Sequence, residues 1–220
     1  MKTKNAILVI GTLLLTIGLY SQEITSPVEY SIAEQHKIYS NILEEERELL
    51  IYTPSGFWGM DDKVENYPIV IVLDGESQFL HTLSTIDFLS AAPFGNDILP
   101  RSIVVGIPNT NRNRDLTPTN GIIGKDSTSI EITGGGKNFM NFIVEEVIPF
   151  LETNFSTSNH RTLIGHSLGG LMVFEALLYK REYFNNYLAI DPGLGFDNGS
   201  YFKTIIDTLR TGDLRAENLF

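Results

Sequence analysis

RTLIGHSLGGLMVFEALLY, Arg161 to Tyr179, changes character halfway along. Its first part is a short apolar run of the kind that forms a buried strand. Its last part, GLMVFEALLY, has the apolar density of a packed helix. Between them stands the pattern G-x-S-x-G, as Gly165-His166-Ser167-Leu168-Gly169, with Gly170 following. A strand that turns into a helix within one or two residues brings the two backbones together, and glycines two positions to either side of the serine remove the Cβ atoms that would collide. Such a bend holds the serine on a strained turn with its oxygen aimed out of the sheet. It also points the Leu168 N–H at the place where an oxyanion develops on an attacked carbonyl. Ser167 is therefore the candidate nucleophile and Leu168 a candidate oxyanion donor. A bend of small residues with no chemistry is the plainer alternative, and the strand before and helix after the serine weigh against it.

The same alternation runs through the rest of the chain. RELLIYTP, Arg47 to Pro54, reads as an early strand. YPIVIVLDG, Tyr67 to Gly75, is a continuous β-branched run of the kind buried on both faces of a parallel sheet, and is expected to be central. SIVVGIPN (Ser102 to Asn109) and NYLAIDPG (Asn186 to Gly193) repeat that texture. Helical spacing is clearest in GKNFMNFIVEEVIPFLETNF, where Phe139, Phe142, Ile143, Val147 and Phe150 share a face. Strand, helix and strand in this order predict an α/β fold with a doubly wound, mostly parallel sheet. Gly134-Gly135-Gly136 lacks the Lys-Ser/Thr pair of a phosphate loop and reads as a flexible lead into a helix.

A nucleophilic serine needs a base. The four histidines are poor candidates. His166 is adjacent to Ser167 but diverges from it on a sharp turn, His160 sits at the other end of its strand, and His36 lies in a polar lead-in. His81 precedes the serine, whereas the order of this fold is serine, acid, histidine. Asp191 is a candidate acid after the strand NYLAI; the alternative is a structural Asp capping the turn before Pro192. After SYFKTIIDTLR, AENLF looks like another strand beginning. The expectation is an incomplete hydrolase domain whose remaining strands, acid and histidine lie past Phe220.

The chain has 220 residues, 42% of them hydrophobic, enough for one domain. A formal charge of −11 excludes the basic surface of a nucleic-acid binder. With no cysteine there are no disulfides, thiolate metal sites or cysteine nucleophile. Lys2 and Lys4 followed by the apolar run Ala6 to Leu19 read as an export signal, residues 1–21, leaving no membrane attachment after cleavage. A retained anchor is the alternative, although the run is shorter than the roughly 20 residues of a span. The expected organisation is signal peptide 1–21, polar lead-in 22–39 and catalytic domain 40–220.

Five blocks, in order, carry a resemblance: SNILEEERELLIYTPSGF, YPIVIVLDGESQF, VVGIPNTNRNRDLTPT, GGGKNFMNFIVEEVIPFLETNF and RTLIGHSLGGL. From about Ser40 to about Asn198 the chain resembles a family of α/β-hydrolase esterases that includes siderophore, feruloyl and acetylxylan esterases, S-formylglutathione hydrolase and mycolyltransferases. The resemblance implies an ester substrate, small-molecule or glycan-linked, and no metal or organic cofactor. It implies a second oxyanion donor in the backbone near Gly75 and Glu76, and a loop Asn111 to Pro118 bordering the site, whose Arg112 and Arg114 meet a carboxylate or carbonyl of the substrate. It places the acid one strand later than Asp191. Where relatives commonly read SPSLWW, this chain has DPGLGF, Asp191 to Phe196, so the pocket wall is expected to differ.

The reading is a serine esterase acting through an acyl-enzyme on Ser167. An acyltransferase on the same scaffold is one alternative. A catalytically inactive binding module is another, should the natural chain end at Phe220.

Overall fold

Ile69, Ile71 and Leu73 pack to one side of their strand, Val70 and Val72 to the other, and all five are buried. A strand with no polar face must be covered on both sides. The computed structural model describes residues 31–54, 66–90, 96–123, 132–211 and 218–219. The expected export signal at 1–21 lies outside them.

Among the described residues the strands are β1 (Glu34–Ser40), β2 (Glu45–Tyr52), β3 (Tyr67–Leu73), β4 (Ile103–Ile107), β5 (Thr157–His166), β6 (Asn186–Ile190) and β7 (Asn218–Leu219). They form one sheet in the order β1-β2-β4-β3-β5-β6-β7. β2 pairs antiparallel with β1 and β4, and every other pairing is parallel. β3 is thus central, and the mostly parallel sheet read from the sequence is present. Helix α1 (Gly75–Leu89) covers one face, with Phe79, Leu83 and Ile86 on Val70, Val72, Val104 and Ile164. The opposite face carries α3 (Gly136–Phe142), α4 (Ile148–Asn154), α5 (Leu168–Tyr179) and α6 (Ser200–Thr211); the short α2 (Arg112–Asp115) follows β4.

Two features depart from the sequence expectation. β1 falls within the stretch read as a polar lead-in. It is an edge strand in which His36, Ile38 and Ser40 are at least partly covered while the residues between them are exposed, so no apolar run marks it. The helix expected over Gly136 to Phe155 is interrupted by one π-helical segment, Ile143–Val147. Pro149 explains the widening: it has no N–H to give the Glu145 carbonyl, and its ring would collide with that carbonyl in a regular α-turn. Glu146, within the segment, closes the β1–β2 turn by accepting from Ser40 Oγ (2.5 Å) and from the backbone N–H groups of Asn41 (2.9 Å) and Ile42 (3.2 Å).

A buried ionic network joins β2 to α2. The Arg47 side chain is fully covered and lies over the rings of Phe139 and Phe142. It donates to Asp115 Oδ2 at 2.6 Å, to Glu45 at 2.9 Å and to the Pro108 carbonyl at 3.1 Å. Asp115, also buried, accepts from Arg114 Nε at 2.6 Å. On the same face of the sheet, Tyr201 of α6 donates a short hydrogen bond to the buried Glu175 of α5. Burial raises the Glu175 carboxyl above its ordinary range, opposed by the bond from Tyr201.

Two stability outcomes follow. Asp115→Ala strands the Arg47 charge and should cost about 3 kcal/mol in urea unfolding, the low end for a broken buried pair because Glu45 and Pro108 still hold the guanidinium. Replacing the pair together, Arg47→Met with Asp115→Leu, should cost much less. For Glu175 the folded pKa is the higher one, so its contribution to stability falls as pH rises through the unfolded value and is lowest above the raised folded value. Glu175→Gln keeps an acceptor for Tyr201 without a buried charge, and should raise the melting temperature at pH 8 but not at pH 4.

Candidate functional site

β5 ends at His166 and α5 begins at Leu168, so the whole change of direction falls on Ser167, at φ 57° and ψ −119°. Its backbone is held from two sides: the N–H donates to the Ile190 carbonyl at 3.1 Å, and the carbonyl accepts from Leu171 at 3.1 Å and Gly193 at 2.8 Å. Ser167 is half-buried rather than sealed in the core. The turn exists because position 165 has no side chain: a Cβ there would lie 2.2 Å from the Gly169 carbonyl oxygen. Of the six non-glycine residues with positive φ among those described, three, Asp74, Ser167 and Asp191, directly follow the adjacent parallel strands β3, β5 and β6. Strained backbone is thus gathered at the carboxyl edge of the sheet, where ligands of open α/β folds bind.

The β3–α1 turn adjoins the elbow. Asp74 adopts left-handed geometry, φ 55° and ψ 47°, and α1 starts at the next residue. The Asp74 carbonyl accepts from Ser77 and Gln78, both at 2.9 Å, so Gly75 and Glu76 supply the first amides of the helix. A Cβ at Gly75 would lie 2.7 Å from the Ile107 nitrogen, so only glycine lets α1 start this close to β4. A Cβ at Gly169 would lie 3.4 Å from both Leu73 Cβ and Asp74 Oδ2, which puts the starts of α1 and α5 side by side. The structure therefore brings the sequence candidates Leu168, Gly75 and Glu76 together with Ser167 at two adjoining helix N-termini, an environment that favours negative charge.

The two arginine candidates are each paired with carboxylates. Arg112 grips the buried Asp74 carboxylate with two bonds, Nε to Oδ1 at 2.7 Å and Nη2 to Oδ2 at 2.9 Å. Arg114 binds Glu45 through Nη1 (3.0 Å) and Nη2 (2.6 Å) as well as Asp115, and its hydrogen bond holds the Glu45 carboxyl below the ordinary range. Asn109 donates from Nδ2 to Asp74 Oδ1 at 2.6 Å and to Glu76 Oε1 at 2.7 Å, and from its backbone to Glu76 Oε2 at 3.1 Å. Sequence reasoning passed over Asp74 and Asn109. Their only signal was their place at the ends of apolar runs, LDG and IPN.

Asp191 is exposed at the end of β6 with φ 41°. The turn after it presses on the elbow: a Cβ at Gly170 would lie 2.9 Å from Pro192 Cα. In DPGLGF, Phe196 is buried against Gly121, and the amide of the following Asp197 donates to the Ile122 carbonyl, so this segment packs on the loop at 121–122. No histidine hydrogen-bonds Ser167 among the described residues. His36 meets Glu34 between the rings of Phe150 and Phe155, His160 meets Asn186, His81 is exposed on α1, and His166 precedes the serine in β5. Gly134 to Gly136, read as a flexible lead, are built in by their amides, which donate to Thr117 Oγ1, the Arg114 carbonyl and the Thr117 carbonyl in turn.

Gly165→Ala should lower stability by about 1–3 kcal/mol and disturb the Ser167 bend, measured by thermal unfolding and by reaction of the serine with a fluorophosphonate. Gly195→Ala, where a Cβ meets nothing within 4 Å and the backbone is right-handed, should stay within about 0.5 kcal/mol of the parent.

Residues 40–194 match the family model Esterase, described as "Putative esterase". Ferri-bacillibactin esterase BesA of Bacillus subtilis (strain 168) is 30% identical over 151 residues, covering 62% of this chain and 51% of BesA. The siderophore enterobactin esterase of Emericella nidulans is 38% identical over 112 residues, 44% of this chain and 37% of the relative. The crystal structure of an IroE-like serine hydrolase from Shewanella oneidensis aligns with a TM-score of 0.77 at 38% identity, covering 86% of this chain and 59% of that one. The chain spans about half the length of the curated relatives it matches. With the family model matched over more than half its residues, the chain belongs to this esterase family and carries its α/β-hydrolase-type fold.

Proposed function

We propose that the protein is a serine esterase in which Ser167 Oγ attacks the carbonyl carbon of a carboxylic ester. The observation that carries this reading is the placement of Ser167 on a positive-φ bend between two adjoining helix starts. As the Oγ–carbon bond forms, the carbonyl oxygen takes up negative charge and is met by the Leu168 N–H and by an amide of Gly75 or Glu76. The proton lost by Ser167 Oγ ends on the departing alkoxide, which leaves as the alcohol; water then attacks the acyl-enzyme, giving its hydroxyl to the acyl carbon and a proton to Ser167 Oγ, and the acid is released. None of the four histidines of this chain is assigned as the base, and Asp191 is not assigned as the acid. The names of the relatives support a small-molecule ester of the siderophore class. The charged start and apolar run of residues 1–21 support export. No helix among the described residues is long and apolar enough to cross a membrane.

Ser167→Ala in the intact protein should leave the circular dichroism spectrum unchanged, abolish the fluorophosphonate adduct and lower kcat on p-nitrophenyl acetate by about ten-thousandfold or more. An adduct that persists in this variant, or that maps to another residue, overturns the reading.

A further inference from the structure

An aspartate in the residue before a helix ordinarily turns its carboxylate onto the amides of the second or third helical residue. Asp74 stands in that position before α1, with left-handed in place of the usual extended backbone, and makes no such bond. Its carboxylate is buried and held by three donors: Arg112 Nε, Arg112 Nη2 and Asn109 Nδ2. The neighbouring Glu76, whose carboxylate also belongs to the first turn, is bound to Asn109 by both oxygens. The second helical residue of α1 is Glu76. Its amide, which self-capping by Asp74 would occupy, is one of those the proposed reaction needs.

We propose that Arg112 and Asn109 keep the Asp74 carboxylate off the first turn of α1, so that the Gly75 and Glu76 amides stay open to the oxyanion. Asp74 and Arg112 are positioning residues in this scheme, and Arg112 acts through Asp74 rather than on the substrate. A second effect has the same sign. Asp74 Oδ2 lies 3.4 Å from the Cβ position of Gly169, beside the start of α5, so an unpaired carboxylate there would repel the charge that develops at the elbow. The bidentate guanidinium neutralises it at the closest range, and lysine cannot reproduce the paired geometry. The inference rests on the esterase reading.

The test compares kcat and KM on p-nitrophenyl acetate, and the rate of fluorophosphonate labelling of Ser167, in the intact protein. Arg112→Gln should lower kcat and the labelling rate by about 10–100-fold with KM little changed, since one oxyanion donor is typically worth about 10²–10³ in rate and would be only partly blocked. Arg112→Lys should fall between the two. Adding Asp74→Gly to Arg112→Gln removes the competing carboxylate while tolerating the left-handed backbone, and should recover most of the loss; Asp74→Asn serves the same purpose if the glycine variant does not fold. Wild-type rates in Arg112→Gln overturn the proposal. So does a rise in KM alone that the second substitution does not relieve, the result expected if Arg112 binds substrate. A parent protein that fails to label at Ser167 overturns the esterase reading, and this inference with it.

Discussion

A chain can pass from strand to helix in one residue only if nothing but hydrogen stands between the two backbones. At Gly165 the clearance to the Gly169 carbonyl oxygen is 2.2 Å for a carbon that is not there. Everything at the carboxyl edge of the sheet depends on that gap. It lets α5 begin at Leu168, forces Ser167 into positive φ, and brings the helix start against Leu73 and Asp74 of the neighbouring strand and turn. The steric requirement and the electrostatic one are met together, because the bend that carries Ser167 also starts the helix whose first amides lie next to it.

Charged side chains support this edge from beneath. Asp115 receives Arg47 from the core side and Arg114 from its own helix, while Arg112, two residues before Arg114, reaches the opposite way to Asp74. The loop after β4 is therefore anchored at both ends by bidentate or buried ion pairs, which lose much more when one partner is removed than they contribute as pairs. Such anchoring holds the β3–α1 turn at Asp74 in one geometry.

Much of this was legible in the sequence because it is local. The β-branched runs of β3 and β4 and the glycine-fenced serine each carry their structural meaning within about ten residues. β1 was not legible, since an edge strand shows water most of its side chains and lacks an apolar signature. The partners of the arginines were also hidden: Arg112 finds Asp74 38 positions away and Arg114 finds Glu45 69 positions away. Nothing local in the sequence pairs a loop arginine with a carboxylate that distant, and only the fold brings the two together. The π-helical segment had a local cause in Pro149, but one proline in a strongly apolar helix reads as a kink or a stop before it reads as a widened turn.

The Ser167 backbone is tied to Ile190, the last residue of β6, and to Gly193 just past it, both made only after the whole of α5. On a ribosome the strand and the helix of the elbow therefore emerge well before the bonds that lock the bend between them. The bend at Ser167 gains its final geometry when β6 docks, so it is a property of the assembled sheet and not of the glycine-fenced pattern that announces it.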